Sequence, residues 1–153
     1  MKIPRDFADL LEAFAAQGVQ YLVVGGYAVG AHDVPRFTKD IDLLIDATPE
    51  NRDRCTLALQ EFGAPDAVVA AMRDAGPDDV VWLGQPPLRI DLLQSIPGID
   101  FAQAWPRRLT LDLEGLSIEV IGLQDLIAAK QAAARPQDRR DARALRRKLA
   151  AGR

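Results

Sequence analysis

The chain has 153 residues and a mass of 16.7 kDa, with 48% hydrophobic and 27% charged residues. That is the composition of one globular domain, and it excludes a disordered, collagen-like or disulfide-built chain. The net charge of −3 conceals a split, because residues 135–153 carry +6 and residues 1–134 carry −9. An acidic body suits cations, and a basic tail suits an anionic partner or a solvated helix face.

Residues 5–17 read as an amphipathic helix, with Phe7, Leu10, Leu11 and Phe14 at helical spacing and Gly18 placed to end it. Asp6, Asp9 and Glu12 interrupt the N-terminal stretch, so it is expected to have no signal-peptide apolar core. No apolar run approaches the ~20 residues of a membrane helix. Cys55, the single cysteine, can make no internal disulfide, which points to a reducing, cytoplasmic compartment.

Gln20–Val24 reads as a buried strand stopped by Gly25-Gly26, with one or two helical turns over 27–32. Lys39–Asp46 reads as a strand. Pro49 opens a helix that reaches about Glu61, before Gly63, and 66–74 is a further short helix. Asp79–Leu83 and Leu88–Leu93 form one hairpin around residues 84–87. Leu109–Leu113 and Leu116–Val120 form a second around Glu114-Gly115. Helices over 123–134 and 137–150, divided at Pro136, close the chain. The order predicts a single α/β (α+β) domain with a mixed sheet flanked by helices.

The chemistry concentrates in residues 21–46. Alternate side chains of a strand share a face, so Asp40 and Asp42 point together, roughly 6.5–7 Å apart, while Ile41 and Leu43 point into the core. Such carboxylates repel unless a cation lies between them, and a hard divalent ion such as Mg²⁺ favours carboxylate oxygens. Gly25 and Gly26 allow close backbone approach, which suits a triphosphate. Asp91, in the strand LRIDLL, supplies a third carboxylate if its strand lies beside that of Asp42. Three carboxylates could hold two metal ions. Arg36 and Lys39 are placed to neutralise either phosphate or the aspartates.

Val24-Gly25-Gly26, 13 intervening residues and Asp40-Ile41-Asp42-Leu43 resemble the nucleotidyltransferase signature of the DNA polymerase beta superfamily. The wording GGYAVGAHDVPRFTKDIDLLI is similar to small bacterial proteins related to the abortive-infection nucleotidyltransferase toxins. So are Leu126-Ile127-Ala128-Ala129-Lys130 and Arg135-Pro136-Gln137-Asp138-Arg139-Arg140-Asp141. The resemblance implies a nucleotidyltransferase fold and transfer of a nucleoside monophosphate from a nucleoside triphosphate to a hydroxyl acceptor, with Mg²⁺ or Mn²⁺. It implies that Gly25 and Gly26 hold the triphosphate, that Asp40 and Asp42 bind metal, and that Asp91 is a shared ligand or the base. Lys130 would contact phosphate or anchor its helix to the sheet. Gly26 stands where many members carry Ser. RNA, a protein or a small molecule could serve as acceptor.

Two other readings stay open. One is a catalytically silent interaction or antitoxin module, the partner of a toxin–antitoxin pair. The other is a nucleic-acid binder using the basic tail. Among the remaining residues, His32 is expected to be a helix-end hydrogen-bond partner and Cys55 a buried thiol. Trp82 and Trp105 are expected to pack in the core.

Overall fold

The computed structural model describes residues 3–85 and 87–152. Pro86 in the first expected hairpin turn and Arg153 in the basic tail lie outside them. The elements are α1 (Arg5–Gln17), β1 (Tyr21–Val24), α2 (Gly25–Ala31), β2 (Asp40–Ile45), α3 (Pro49–Phe62), α4 (Asp66–Asp74), β3 (Val81–Leu83), β4 (Arg89–Leu93), α5 (Phe101–Ala104), β5 (Leu109–Leu113), β6 (Leu116–Val120), α6 (Leu123–Ala133) and α7 (Pro136–Ala151).

The strands form one mixed sheet in the order β3-β4-β2-β1-β6-β5. β1 runs antiparallel to β2 and parallel to β6, while β2 and β4 are parallel. Both hairpins are present, β3 with β4 and β5 with β6. β1 occupies an interior position, and all four of its residues are buried, which explains its unbroken apolar run. In β2 and β4 the apolar residues Ile41, Leu43, Ile90 and Leu92 are buried, leaving Asp40, Asp42, Arg89 and Asp91 on the other face.

α1 buries Phe7, Leu10, Leu11 and Phe14, and Gly18 ends it in a left-handed conformation with φ 69°. Cys55 is fully buried, and burial pushes its thiol up to about 12. Tyr21 is buried as well, and its hydroxyl accepts from the Glu119 amide.

Several element boundaries differ from the sequence expectation. α2 begins at Gly25 rather than at residue 27. With φ +70°, Gly25 turns the chain from strand into helix with no linking residue. Pro136 does not divide the last two helices but opens α7, where its missing N–H costs nothing. The break falls at Ala134, which has φ 59°. α5 and the 3-10 turn Trp105–Arg107 were not anticipated; four residues are too few to show a period.

Candidate active site

Register gathers the site. Val24 pairs with Asp42, Asp42 with Asp91 and Asp91 with Trp82. These four residues form one row across β1, β2, β4 and β3, at ~4.8 Å per strand. The expected adjacency of the Asp91 strand to β2 is present, and it places Asp91 directly beside Asp42.

The Asp42 carboxyl is pushed up to about 6. Burial is the largest cause. The charges of Asp91 and Asp40 and a hydrogen bond shared with Asp91 add to it, and Lys130 opposes it. Gly25 lies against the same group, because a Cβ there would overlap Asp42 Oδ2. Asp91 also accepts from Arg89 Nε at 2.8 Å. Arg89 is held above its ordinary range by that bond and by the nearby carboxylates.

A cavity of about 420 Å³ opens over Val24, Asp42 and Asp91 of this row, with Trp82 outside its lining. Gly25, Asp42 and Asp91 line one side, Lys130, Arg135 and Asp138 contribute charge, and Val24, Leu93, Ile96 and Leu126 contribute apolar wall. Of the expected site residues, the structure thus brings together Gly25, Asp42, Asp91 and Lys130.

The other expected residues stand elsewhere. Asp40 is exposed at the start of β2, outside the cavity lining, though its charge reaches Asp42. Gly26 does not line the cavity; a Cβ there would meet the Thr38 side chain at 2.9 Å. Thr38 in turn holds the entry to β2, exchanging hydrogen bonds with the Asp40 backbone at 3.2 and 3.3 Å. Lys39 is exposed and lies outside the lining. Arg36 neither faces the aspartates of β2 nor lines the cavity. Its Nε donates to Asp141 at 3.1 Å, which ties the loop before β2 to α7.

Lys130 is corrected in one respect. It is buried, and its Nζ lies 3.3 Å from Asp138 and 3.0 Å from Asp141. It therefore fastens α6 to α7, not its helix to the sheet. Arg135 Nε completes the cluster with Asp138 at 2.8 Å. For the Asp138 carboxyl, burial alone would be upward, but the Arg135 hydrogen bond and the Lys130 charge outweigh it and hold the group below the usual range. Asp138 and Asp141 belong to the Arg135–Asp141 segment, to whose carboxylates the sequence alone assigns no role. Their spacing on one helix, just after Lys130, was the available signal.

Trp82 is also corrected. It is 57% exposed, whereas its neighbours Val81 and Leu83 are buried. Alternation on β3 puts Trp82 on the carboxylate face instead of in the core. Trp105 does pack against the core, stacked on Phe101 at 5.6 Å with the Arg108 guanidinium over its ring. His32 ends α2, where its Nε2 bonds the Ile121 carbonyl at 2.8 Å, as expected.

Among the described residues no three His, Cys, Asp or Glu side chains stand together as a metal-holding group, so the expected trio reduces to the pair Asp42–Asp91. That pair suits one hard cation. Two carboxylates face each other, and their mutual repulsion raises Asp42, a cost that a divalent ion would relieve. No helix among the described residues is long and apolar enough to cross a membrane.

The fold is similar to that of several solved structures. A candidate nucleotidyltransferase from Thermotoga maritima is 16% identical, with a TM-score of 0.60, covering 95% of this chain and 91% of that one. An antigenic nucleotidyltransferase-like protein from Paracoccidioides brasiliensis is 18% identical, with a TM-score of 0.54, covering 90% of this chain and 72% of that one. The antibiotic-resistance factor ANT(2″)-Ia, in its complex with adenylyl-2″-tobramycin, is 14% identical with a TM-score of 0.55, covering 94% and 87%. At these identities the likeness establishes the nucleotidyltransferase-like fold. No curated protein matches the chain by sequence. The chain belongs to the family described as nucleotidyltransferase of unknown function, DUF6036, whose profile matches residues 5–147.

Proposed function

We propose that the chain transfers a nucleoside monophosphate from a nucleoside triphosphate to a hydroxyl acceptor and releases pyrophosphate. Asp42 and Asp91 would hold a divalent cation, Mg²⁺ or Mn²⁺, with Asp40 at the mouth. The observation that carries this reading is the in-register pairing of Asp42 with Asp91 directly against the backbone of Gly25. When bound, the cation would neutralise carboxylate and phosphate charge.

The chain's own residues supply positioning and electrostatics. Gly25 leaves its backbone open beside Asp42. Lys130 and Arg135, within electrostatic reach of Asp42, present positive charge to phosphate oxygens. The acceptor oxygen bonds to the α-phosphorus, the bond to the leaving pyrophosphate breaks, and Asp91 accepts the hydroxyl proton.

The test is calorimetric titration with ATP in Mg²⁺, alongside transfer of label from an α-labelled triphosphate. Binding should collapse in Asp42→Ala and weaken in Asp40→Ala while circular dichroism stays unchanged. Equal binding by the wild type and both variants refutes the proposal. One observation favours the silent-module alternative, namely that Arg89 already neutralises Asp91. That alternative expects ATP binding without label transfer, and no gain on Arg89→Ala.

A further inference from the structure

The mechanism above leaves Trp82 unused. It is the fourth member of the row, directly beside Asp91. The Arg89 guanidinium lies 5.0 Å from the centre of its ring, while Arg89 Nε bonds Asp91. Val80, just before β3, is 48% exposed and lines the cavity. An exposed indole on the carboxylate face, paired with Asp91 just outside the cavity lining and carrying a guanidinium, is built to stack a flat ring. A cationic ring is disfavoured because Arg89 is already there. A neutral planar ring gains from both the indole and the guanidinium, which is the chemistry of a nucleobase.

We propose that Trp82, with Arg89, is a stacking platform for a nucleobase that accompanies the reacting groups at Asp42 and Asp91. The proposal rests on the nucleotidyltransferase reading for its purpose, though not for its physics. Val24, which leads directly into Gly25, lies at one end of the row and Trp82 at the other. A triphosphate over Gly25 therefore leaves Trp82 on the side where the acceptor enters. The base can come from that acceptor or from the incoming nucleotide.

The experiment separates the two sources. In a Trp105→Phe background Trp82 is the only indole, since the chain has two tryptophans. Its fluorescence is titrated in Mg²⁺ with ATP in one arm and with single-stranded hexaadenylate in the other. Quenching by ATP assigns the platform to the incoming nucleotide, and quenching by the oligonucleotide assigns it to the acceptor. In the otherwise wild-type chain, Trp82→Ala should weaken calorimetric binding of the quenching probe by roughly tenfold, while Trp82→Phe should retain most of it. Absence of quenching in both arms, or equal affinity of Trp82→Ala and wild type, overturns the platform. Because quenching and Trp82→Ala read the platform while Asp42→Ala reads the cation site, the platform can fail while Asp42-dependent ATP binding stands, and hexaadenylate quenching can persist where ATP binding fails.

Discussion

Replacing Asp42 with Asn should stabilise the metal-free protein. The folded chain holds this carboxyl at about 6 against an ordinary 3.8, because it is buried and faces Asp91 and Asp40. A shift of about two units corresponds to roughly 3 kcal/mol of unfavourable free energy when the group is ionised. Water reaching the cavity screens part of this, so a gain of about 1–3 kcal/mol is expected. In a chain of this size that is roughly 3–10 °C in Tm. The sign follows from the raised folded value. Between about pH 4 and pH 6 the folded state takes up a proton that the unfolded state does not. The advantage of Asp42→Asn is therefore full above pH 6 and fades as pH falls towards 3.8. Urea denaturation in EDTA at pH 8, 6 and 4.5 measures it. Adding Mg²⁺ at pH 8 should narrow the gap by stabilising the wild type alone. A variant less stable than wild type at pH 8, or a gap that does not change with pH, refutes the reasoning.

Other perturbations test the supporting structure. Lys130→Met leaves Asp138 and Asp141 buried, faced by Arg135, by Arg36 and by the Gln137 amide but without the lysine they share. It should cost about 3 kcal/mol, the low end for breaking a buried ion cluster, as read by denaturant midpoint. Because Asp138 is held below its usual range, its contribution is present above pH 4 and disappears as pH falls below that. Asp138→Asn should accordingly be destabilising at pH 7 and progressively less so as pH falls below about 4. Gly25→Ala combines a left-handed φ with a collision at Asp42. It should cost about 1–3 kcal/mol and abolish calorimetric ATP binding. Gly30→Ala, where nothing lies within 4 Å, should instead gain about 0.5–1 kcal/mol and leave binding unchanged.

The elements that were legible are those whose pattern is local. The four apolar positions of α1 and its Gly18 cap specify the helix without reference to anything distant. The same holds for the Glu114-Gly115 turn, which joins β5 to β6 at the residues expected. Alternation likewise assigned Asp40 and Asp42 to one face. Alternation fixes only a face, however, and not a depth. Asp40 and Asp42 are equivalent by that rule, yet Asp42 has Val24 and Asp91 on either side while Asp40 sits where the strand emerges. The cross-strand register separates them, and register is a long-range property. Trp82 shows the same gap. Composition favours a buried tryptophan, but the pairing of Trp82 with Asp91 commits it to the exposed face.

The charge split acquires a structural meaning from the same long-range contacts. The two carboxylates of the basic tail, Asp138 and Asp141, are buried against Lys130, whereas Arg139, Arg140, Arg143, Arg146 and Arg147 are exposed. α7 therefore presents to solvent a more basic face than its net charge implies, since its acids are spent inward. Three of these arginines, Arg139, Arg143 and Arg146, line a groove with Gln131 that shares no residue with the cavity over Asp42 and Asp91. The inward acids hold α7 against α6 and so fix Lys130 and Arg135 beside Asp42. The buried half of the tail thus belongs to the electrostatics of the site. The outward half is free to interact with anions independently, and salt should weaken such binding without moving the pH dependence set by Asp42.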